Sequence, residues 1–479
     1  MGNEEKVDRM ESEQEVDSDD HFIFPKVLTE HDVLGKKLII APEQANWLVC
    51  ECGKYGEIEY DEYRAFRLFR DGKSVQEVID NLCGRGEEDS GASWGPEPLH
   101  PDGACEVVSR LIAQILGKNF LADSKVTERP LLKMASLCLT AGCNLCCSTC
   151  FMNSTVAGKN ECTFEQWARF LRAFRDSGGG LATLTGGEPL LNQDCPRIVQ
   201  YAKSVGLRVV LLTNGTLLTG EKAKILCENC DQIRISIDGP DAETHDMNRG
   251  RGNFEKAVAG LRHLAGYPEC ELVIAMTPTP DAIPAFRNGL GRFVDWIHRD
   301  IRPDIEVRVT GRLMQGRNTP KMSSQEKLAF GQAVHAFCND QMGEGSVEKM
   351  DAANILPNQR NVSCGMAANI IVFADGGIGI CNYSTETVAN IKDIQEGDGK
   401  HFISQANERL RQIVLSTRVE RFQPCADCDL RYFCGGKCRM EYKSGVCQCE
   451  QSFRDEWYGS LVRISPYLVK PLTDGTERR

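Results

Sequence analysis

The chain has 479 residues, 41% of them hydrophobic and 26% charged, with a formal charge of −12. That is ample material for a core and for two to four domains. It excludes a basic nucleic-acid binder, because no Lys/Arg block offers a phosphate-binding face. No run reads as a membrane span, and the acidic start lacks the apolar stretch of a secretory signal, so the expectation is a cytoplasmic protein without membrane or nucleic-acid partners. The sequence contains 23 cysteines. In a chain of this size without a signal peptide, they point to metal or redox chemistry rather than disulfides.

Residues 1–20 read as a disordered acidic tail. Met1-Gly2 would suit myristoylation, but Lys6 stands where that motif needs Ser or Thr. A compact α+β block is expected over 21–125. "KKLIIA" and "NWLVC" are its strand-like runs, and "DEYRAFRLF" spaces Tyr63, Phe66 and Phe69 as on a helix. "SVQEVIDNLC" opens with a capping box, Ser74 with Glu77. "GRGEEDSGASWGPEP" reads as a loop, and "CEVVSRLIAQILGKNF" as a helix ending at Gly117. From Met134 the pattern alternates. "MASLCLT", "LATLT", "LRVVLLT", "QIRISID", "ELVIAMT" and "DIEVRVT" are strand-like, separated by helical stretches such as "FEQWARFLRAFRD". Six β/α repeats predict a parallel sheet, most simply a partial barrel over 134–335, with chemistry at the C-terminal ends of its strands. Residues 336–479 form the expected third domain, which from Cys364 onward reads as cysteine-rich, loop-rich and short of long helices.

"CLTAGCNLCCSTCF" ends the first barrel strand. Cys143, Cys147 and Cys150 are spaced C-x3-C-x2-C, and three thiolates on one loop can cap three corners of a cubane iron–sulfur cluster. Cys146 in place of Cys147 would give C-x2-C-x3-C, so spacing alone leaves two registers. "LTGGEP" then sets Gly186, Gly187 and Glu188 beyond the second strand. Two glycines permit close backbone approach to a ligand, and a carboxylate can accept bonds from an ammonium.

With these two motifs the chain resembles the radical S-adenosylmethionine (SAM) superfamily. The resemblance selects Cys147 over Cys146 and implies a 4Fe-4S cluster that binds SAM. It also implies that Gly186, Gly187 and Glu188 bind the methionine amino group, and that Asn214, Ser236 and Asp238 of "LLTNGT" and "ISIDGP" line the cofactor. Arg249 would meet its carboxylate and Phe151 would lie beside it. Turn chemistry is the alternative for Asn214 and Asp238. Thr149 departs from the family, which usually has an aromatic residue before the last cysteine.

Further on, Cys364 precedes Cys381 in a G-x4-C ending. Cys425, Cys428, Cys434 and Cys438 are spaced C-x2-C-x5-C-x3-C, and Cys447 and Cys449 follow. A structural zinc site is the alternative reading. The arrangement resembles the SPASM domain, which implies two auxiliary clusters. Cys364, Cys381 and Cys438 would hold the first. Cys425, Cys428 and Cys434, with Cys447 or Cys449, would hold the second. An open iron on the first could take a substrate thiolate. Beside such an enzyme, the 21–125 block resembles the winged-helix-like RiPP recognition element, which binds the leader of a precursor peptide.

The implied function is maturation of a ribosomally made peptide, with thioether bridges of the sactipeptide or ranthipeptide kind as the expected product. A flavodoxin or ferredoxin would supply electrons. Carbon–carbon crosslinking or epimerisation are the alternatives. Sulfatase-type maturation is disfavoured because Asn382 occupies the place of an aspartate base. A non-catalytic iron–sulfur electron-transfer scaffold has no need of the glycine and carboxylate motifs. The remaining cysteines, Cys227 and Cys230 of "CENC" among them, are expected to be packing residues.

Overall fold

The computed structural model describes residues 22–34, 36–51, 60–85, 98–122, 133–155, 160–310, 316–319, 322–342, 360–365, 367, 369–465 and 468. The acidic tail and most of the Gly/Pro/Ser-rich loop lie outside these residues. The chain divides into two compact units.

One unit comprises residues 1–125, 355–359 and 458–479. Its sheet is antiparallel in the order β1 (Thr29–Val33), β2 (Lys36–Ala41), β3 (Asn46–Glu51), so β1 and β3 are both edges. Strand β1 has no apolar alternation and escaped the sequence reading. Helices α1 (Tyr60–Arg70), α2 (Val75–Leu82) and α3 (Pro101–Gly117) follow. Ser74 caps α2 through the expected reciprocal box with Glu77. The core joins Ile39 and Leu48 to Phe66, Phe69, Val107 and Leu111. Phe24 and Phe22 close it edge-on against Phe66 and Phe69, with ring centroids 5.2 and 5.1 Å apart. The C-terminal helix contributes too, since the Trp47 indole N–H donates to Leu461 O at 3.0 Å.

The other unit holds a nine-stranded sheet. Strands β4 (Met134–Cys138), β5 (Leu181–Thr185), β6 (Arg208–Thr213), β7 (Gln232–Ser236), β8 (Glu271–Met276) and β9 (Glu306–Val309) run parallel in sequential order. These are the six runs read from the sequence. Between them lie α4 (Phe164–Asp176), α5 (Cys195–Ser204), α6 (Gly220–Asn229), α7 (Ala242–Arg249), α8 (Asn253–Ala265) and α9 (Ile283–Asp300). Trp167, Phe170 and Phe174 of α4 are buried, which is why that helix has an apolar stripe. Helix α10 (Ser324–Met342) runs across the boundary expected at 335/336.

The sheet continues beyond its six-strand core. Strand β10 (Ile370–Val372) pairs parallel to β4, and β11 (Gly377–Gly379) and β12 (Thr387–Asn390) add antiparallel. The expectation that this region lacks long helices is corrected by α11 (Gly399–Ser416), of 18 residues. Its apolar face, Ile403, Ala406 and Leu410, is thin enough to pass for loop. Glycine at 399 lets α11 start against α4, where a Cβ would stand 2.6 Å from that of Ala173. Helix α12 is the single turn Arg431–Cys434, and α13 (Gln451–Ile464) is the last helix among the described residues. Among the described residues no helix is long and apolar enough to cross a membrane.

Candidate active site

The loops that leave the C-terminal ends of β4 to β8 converge on one another through side chains. The β4 loop carries Cys143, Cys147 and Cys150, all half-buried, and Cys146, which is exposed. Burial pushes the Cys143 and Cys147 thiols up. The Leu145 N–H opposes this at Cys143, and the Arg249 guanidinium opposes it at both. The three thiols lie near enough to feel one another's charge.

The glycine pair is explained by backbone packing. Gly186 has φ 141°, and a Cβ there would stand 2.5 Å from Thr140 O; at Gly187 it would stand 2.0 Å from Gly142 O. Both glycines thus pack closely on the segment leading into Cys143. Glu188 is fully buried. Its carboxylate accepts from Leu190 N (3.1 Å) and Thr213 Oγ1 (2.7 Å) at Oε1 and from Asn214 N (2.7 Å) at Oε2, which leaves an acceptor site on Oε2. Burial raises its pKa, against these bonds.

Asn214 closes a turn on Thr216 N at 2.9 Å and donates to Asn144 Oδ1 at 3.0 Å, tying the β6 loop to the cysteine loop. Ser236 is half-buried at the end of β7. Asp238, 2% exposed, accepts from Arg249 Nε (2.6 Å), Asn248 Nδ2 (2.6 Å) and Thr277 N (3.1 Å). Its carboxylate thus orients α7. The other guanidinium N–H groups of Arg249 have no hydrogen-bond partner among the described residues, and its side chain is 16% exposed. A donor fork beside the Cys143 and Cys147 thiols suits a ligand carboxylate.

Two residues of α7 were not legible in the sequence. Asn248 Oδ1 accepts from Ser148 Oγ (2.7 Å), Thr149 N (3.2 Å) and Thr149 Oγ1 (3.1 Å), so α7 grips the cysteine loop from one side. This also accounts for Thr149, whose hydroxyl is used where the resemblance expects a ring. His245 Nδ1 accepts the Asp238 N–H at 3.1 Å. Burial, then Arg249, holds its pKa down to about 4, and Nε2 is buried without a partner among the described residues.

The later cysteines fall into two groups. Cys438 lies within the charge field of Cys364 and Cys381. Cys434 neighbours Cys425, Cys428 and Cys449, while Cys447 is buried beside Cys425 and Tyr442. Phe151, 41% exposed, packs at 5.4 Å on Tyr383, whose N–H donates to Cys381 Sγ at 3.4 Å, so the β4 loop reaches the Cys381 group. Cys143, Cys381 and Cys434 each accept the N–H two residues on, at 3.3–3.4 Å. Such bonds stabilise a thiolate once a metal has displaced its proton. Cys227 and Cys270, outside these groups, give their S–H to backbone oxygens, as does Cys449 within the second group. Among the described residues no three His, Cys, Asp or Glu side chains close on one metal-ion position. Cysteine-only groups on short loops, with backbone N–H bonds to Sγ, fit the thiolate corners of a cubane, in which each thiolate binds a different iron.

Residues 137–282 match the radical SAM superfamily, and this stretch is a radical SAM domain. Among relatives, AdoMet-dependent heme synthase of Methanosarcina barkeri is 43% identical over 129 residues, 26% of this chain and 37% of that protein. Mycofactocin maturase MftC of Mycolicibacterium smegmatis is 31% identical over 142 residues, 29% of this chain and 36% of that one. The chain thus spans well under half the length of these relatives. Streptococcus suis SuiB, solved bound to S-adenosylmethionine, shares the fold with TM-score 0.51 at 15% identity, covering 89% of this chain and 100% of SuiB.

Proposed function

We propose that the protein is a radical SAM enzyme that matures a ribosomally made peptide, with thioether bridges as its product. The observation that carries this reading is the gathering of three cysteine groups in one unit, the first at the C-terminal ends of the parallel strands beside the unpaired fork of Arg249. Cys143, Cys147 and Cys150 would hold the catalytic 4Fe-4S cluster. Cys364, Cys381 and Cys438 would hold one auxiliary cluster, and Cys425, Cys428 and Cys434, with Cys447 or Cys449, the other. With SAM bound, the catalytic cluster supplies a 5′-deoxyadenosyl radical able to take hydrogen from an unactivated carbon.

The chain's own residues then bind, orient and seal. Arg249 would take the carboxylate of SAM, held in place by Asp238. Asn248 and Asn214 fix the cysteine loop, and Glu188 braces the β5 and β6 loops beneath it. The boundaries 21–125, 134–335 and 336–479 would correspond to leader recognition, the radical barrel and a SPASM domain. Reducing equivalents would come from a flavodoxin or ferredoxin. A leader peptide would add a strand to an edge of the β1–β3 sheet.

A tetrapyrrole is the second reading, favoured by the heme synthases among the relatives. The antiparallel sheet with two edges speaks for a peptide. The test is incubation of the reconstituted, reduced enzyme and SAM with cysteine-containing precursor peptides, read by mass spectrometry. Loss of two hydrogens per bridge with consumption of a thiol is expected. An unchanged mass or an unconsumed thiol would contradict thioether formation.

A further inference from the structure

The short segment 316–319 lies across the cysteine loop as a strap. Arg317 N donates to Cys150 O at 3.0 Å and Asn318 N to Ser148 O at 2.7 Å. Gly316 permits this contact, because a Cβ there would stand 2.5 Å from Thr149 O. The Arg317 side chain then reaches along the loop. Nη1 donates to Cys146 Sγ at 2.7 Å and to Cys147 O at 3.4 Å, Nε donates to Asn153 Oδ1 at 2.8 Å, and Nη2 donates to Ser154 O. A planar guanidinium can make all of these at once; an ammonium cannot.

The contact falls on the one thiol of the loop that creates two possible registers. Cys146 is exposed and turned to Arg317, whereas Cys147 lies in the field of Arg249 and Asp238. We propose that Arg317 is a positioning residue that holds the Cys146 thiol out of the cluster site and so fixes coordination through Cys143, Cys147 and Cys150. The inference rests on the radical SAM reading of this site. It assigns a task to a residue 171 positions from the cysteine it contacts.

The test compares reconstituted wild type, Arg317→Ala, Arg317→Lys, Cys146→Ala and the Arg317→Ala/Cys146→Ala double variant. The readouts are 5′-deoxyadenosine formation and the SAM-induced change in the EPR signal of the reduced protein. Arg317→Ala is expected to lose roughly tenfold in rate, the scale of one charge-assisted hydrogen bond, and to give a mixed EPR signal. Arg317→Lys should behave like Arg317→Ala, and Cys146→Ala like wild type. The double variant should recover most of the rate and a single signal, because the competing thiol is gone. A merely structural strap would leave the double variant as impaired as Arg317→Ala, and that result overturns the proposal, as does an Arg317→Ala enzyme indistinguishable from wild type. A wild type with no SAM-dependent EPR change would instead count against the radical SAM reading itself.

Discussion

Lys118 is an expensive residue for its place. It is fully buried, with Nζ 2.5 Å from Ser465 Oγ, 3.5 Å from Trp47 O and 5.0 Å from the centre of the Trp47 ring. Burial, with Cys50 opposing, pulls its pKa down from 10.5 to about 7. In the interval between those values the unfolded chain carries a proton that the folded one lacks, so stability rises with pH from about 7 toward 10.5 and is lowest below 7. Lys118→Met should therefore stabilise this unit at pH 7 by a few kcal/mol, on the order of the linkage energy for such a shift, and should flatten its pH slope. Urea midpoints of the β3 peptides at pH 7 and 9, read by hydrogen exchange at one labelling pH, check this. Parallel slopes in the two proteins would contradict it. At the same scale, the grouping of the cysteines was legible because cysteine spacing is local. Asn248, His245 and Arg317 were not, since each works through a partner brought close only by the fold.

Among elements, the six parallel strands and the capped helices were readable because apolar period and cap chemistry are written within a few residues of each other. Strand β1, exposed along one edge, and α11, with its thin apolar face, lack that signal. The glycine pair 186–187 is readable as a close approach, while its packing on the segment leading into Cys143 is not. The edge of β3 carries a feature no pattern announces. Gln114 of α3 accepts from Val49 N at 3.3 Å and donates to Val49 O at 2.9 Å, covering the outward backbone groups that would receive another strand. A leader adding at β3 must displace this amide. Gln114→Ala should then tighten leader binding about three- to tenfold, the equivalent of one ordinary hydrogen bond. Fluorescence anisotropy of a labelled leader peptide measures it, and unchanged affinity would place the added strand at β1 instead.

For the whole molecule, β10–β12 extend the parallel sheet, and the later cysteine groups lie in the same unit as the first. The most direct test of the radical SAM reading is anaerobic. Wild type and Cys147→Ala are reconstituted with iron and sulfide, reduced, given SAM with and without candidate peptides, and assayed for 5′-deoxyadenosine by mass spectrometry. The account predicts 5′-deoxyadenosine from wild type and none above background from Cys147→Ala. Iron-loaded wild type that forms none under either condition, or equal yields from the two proteins, would contradict it.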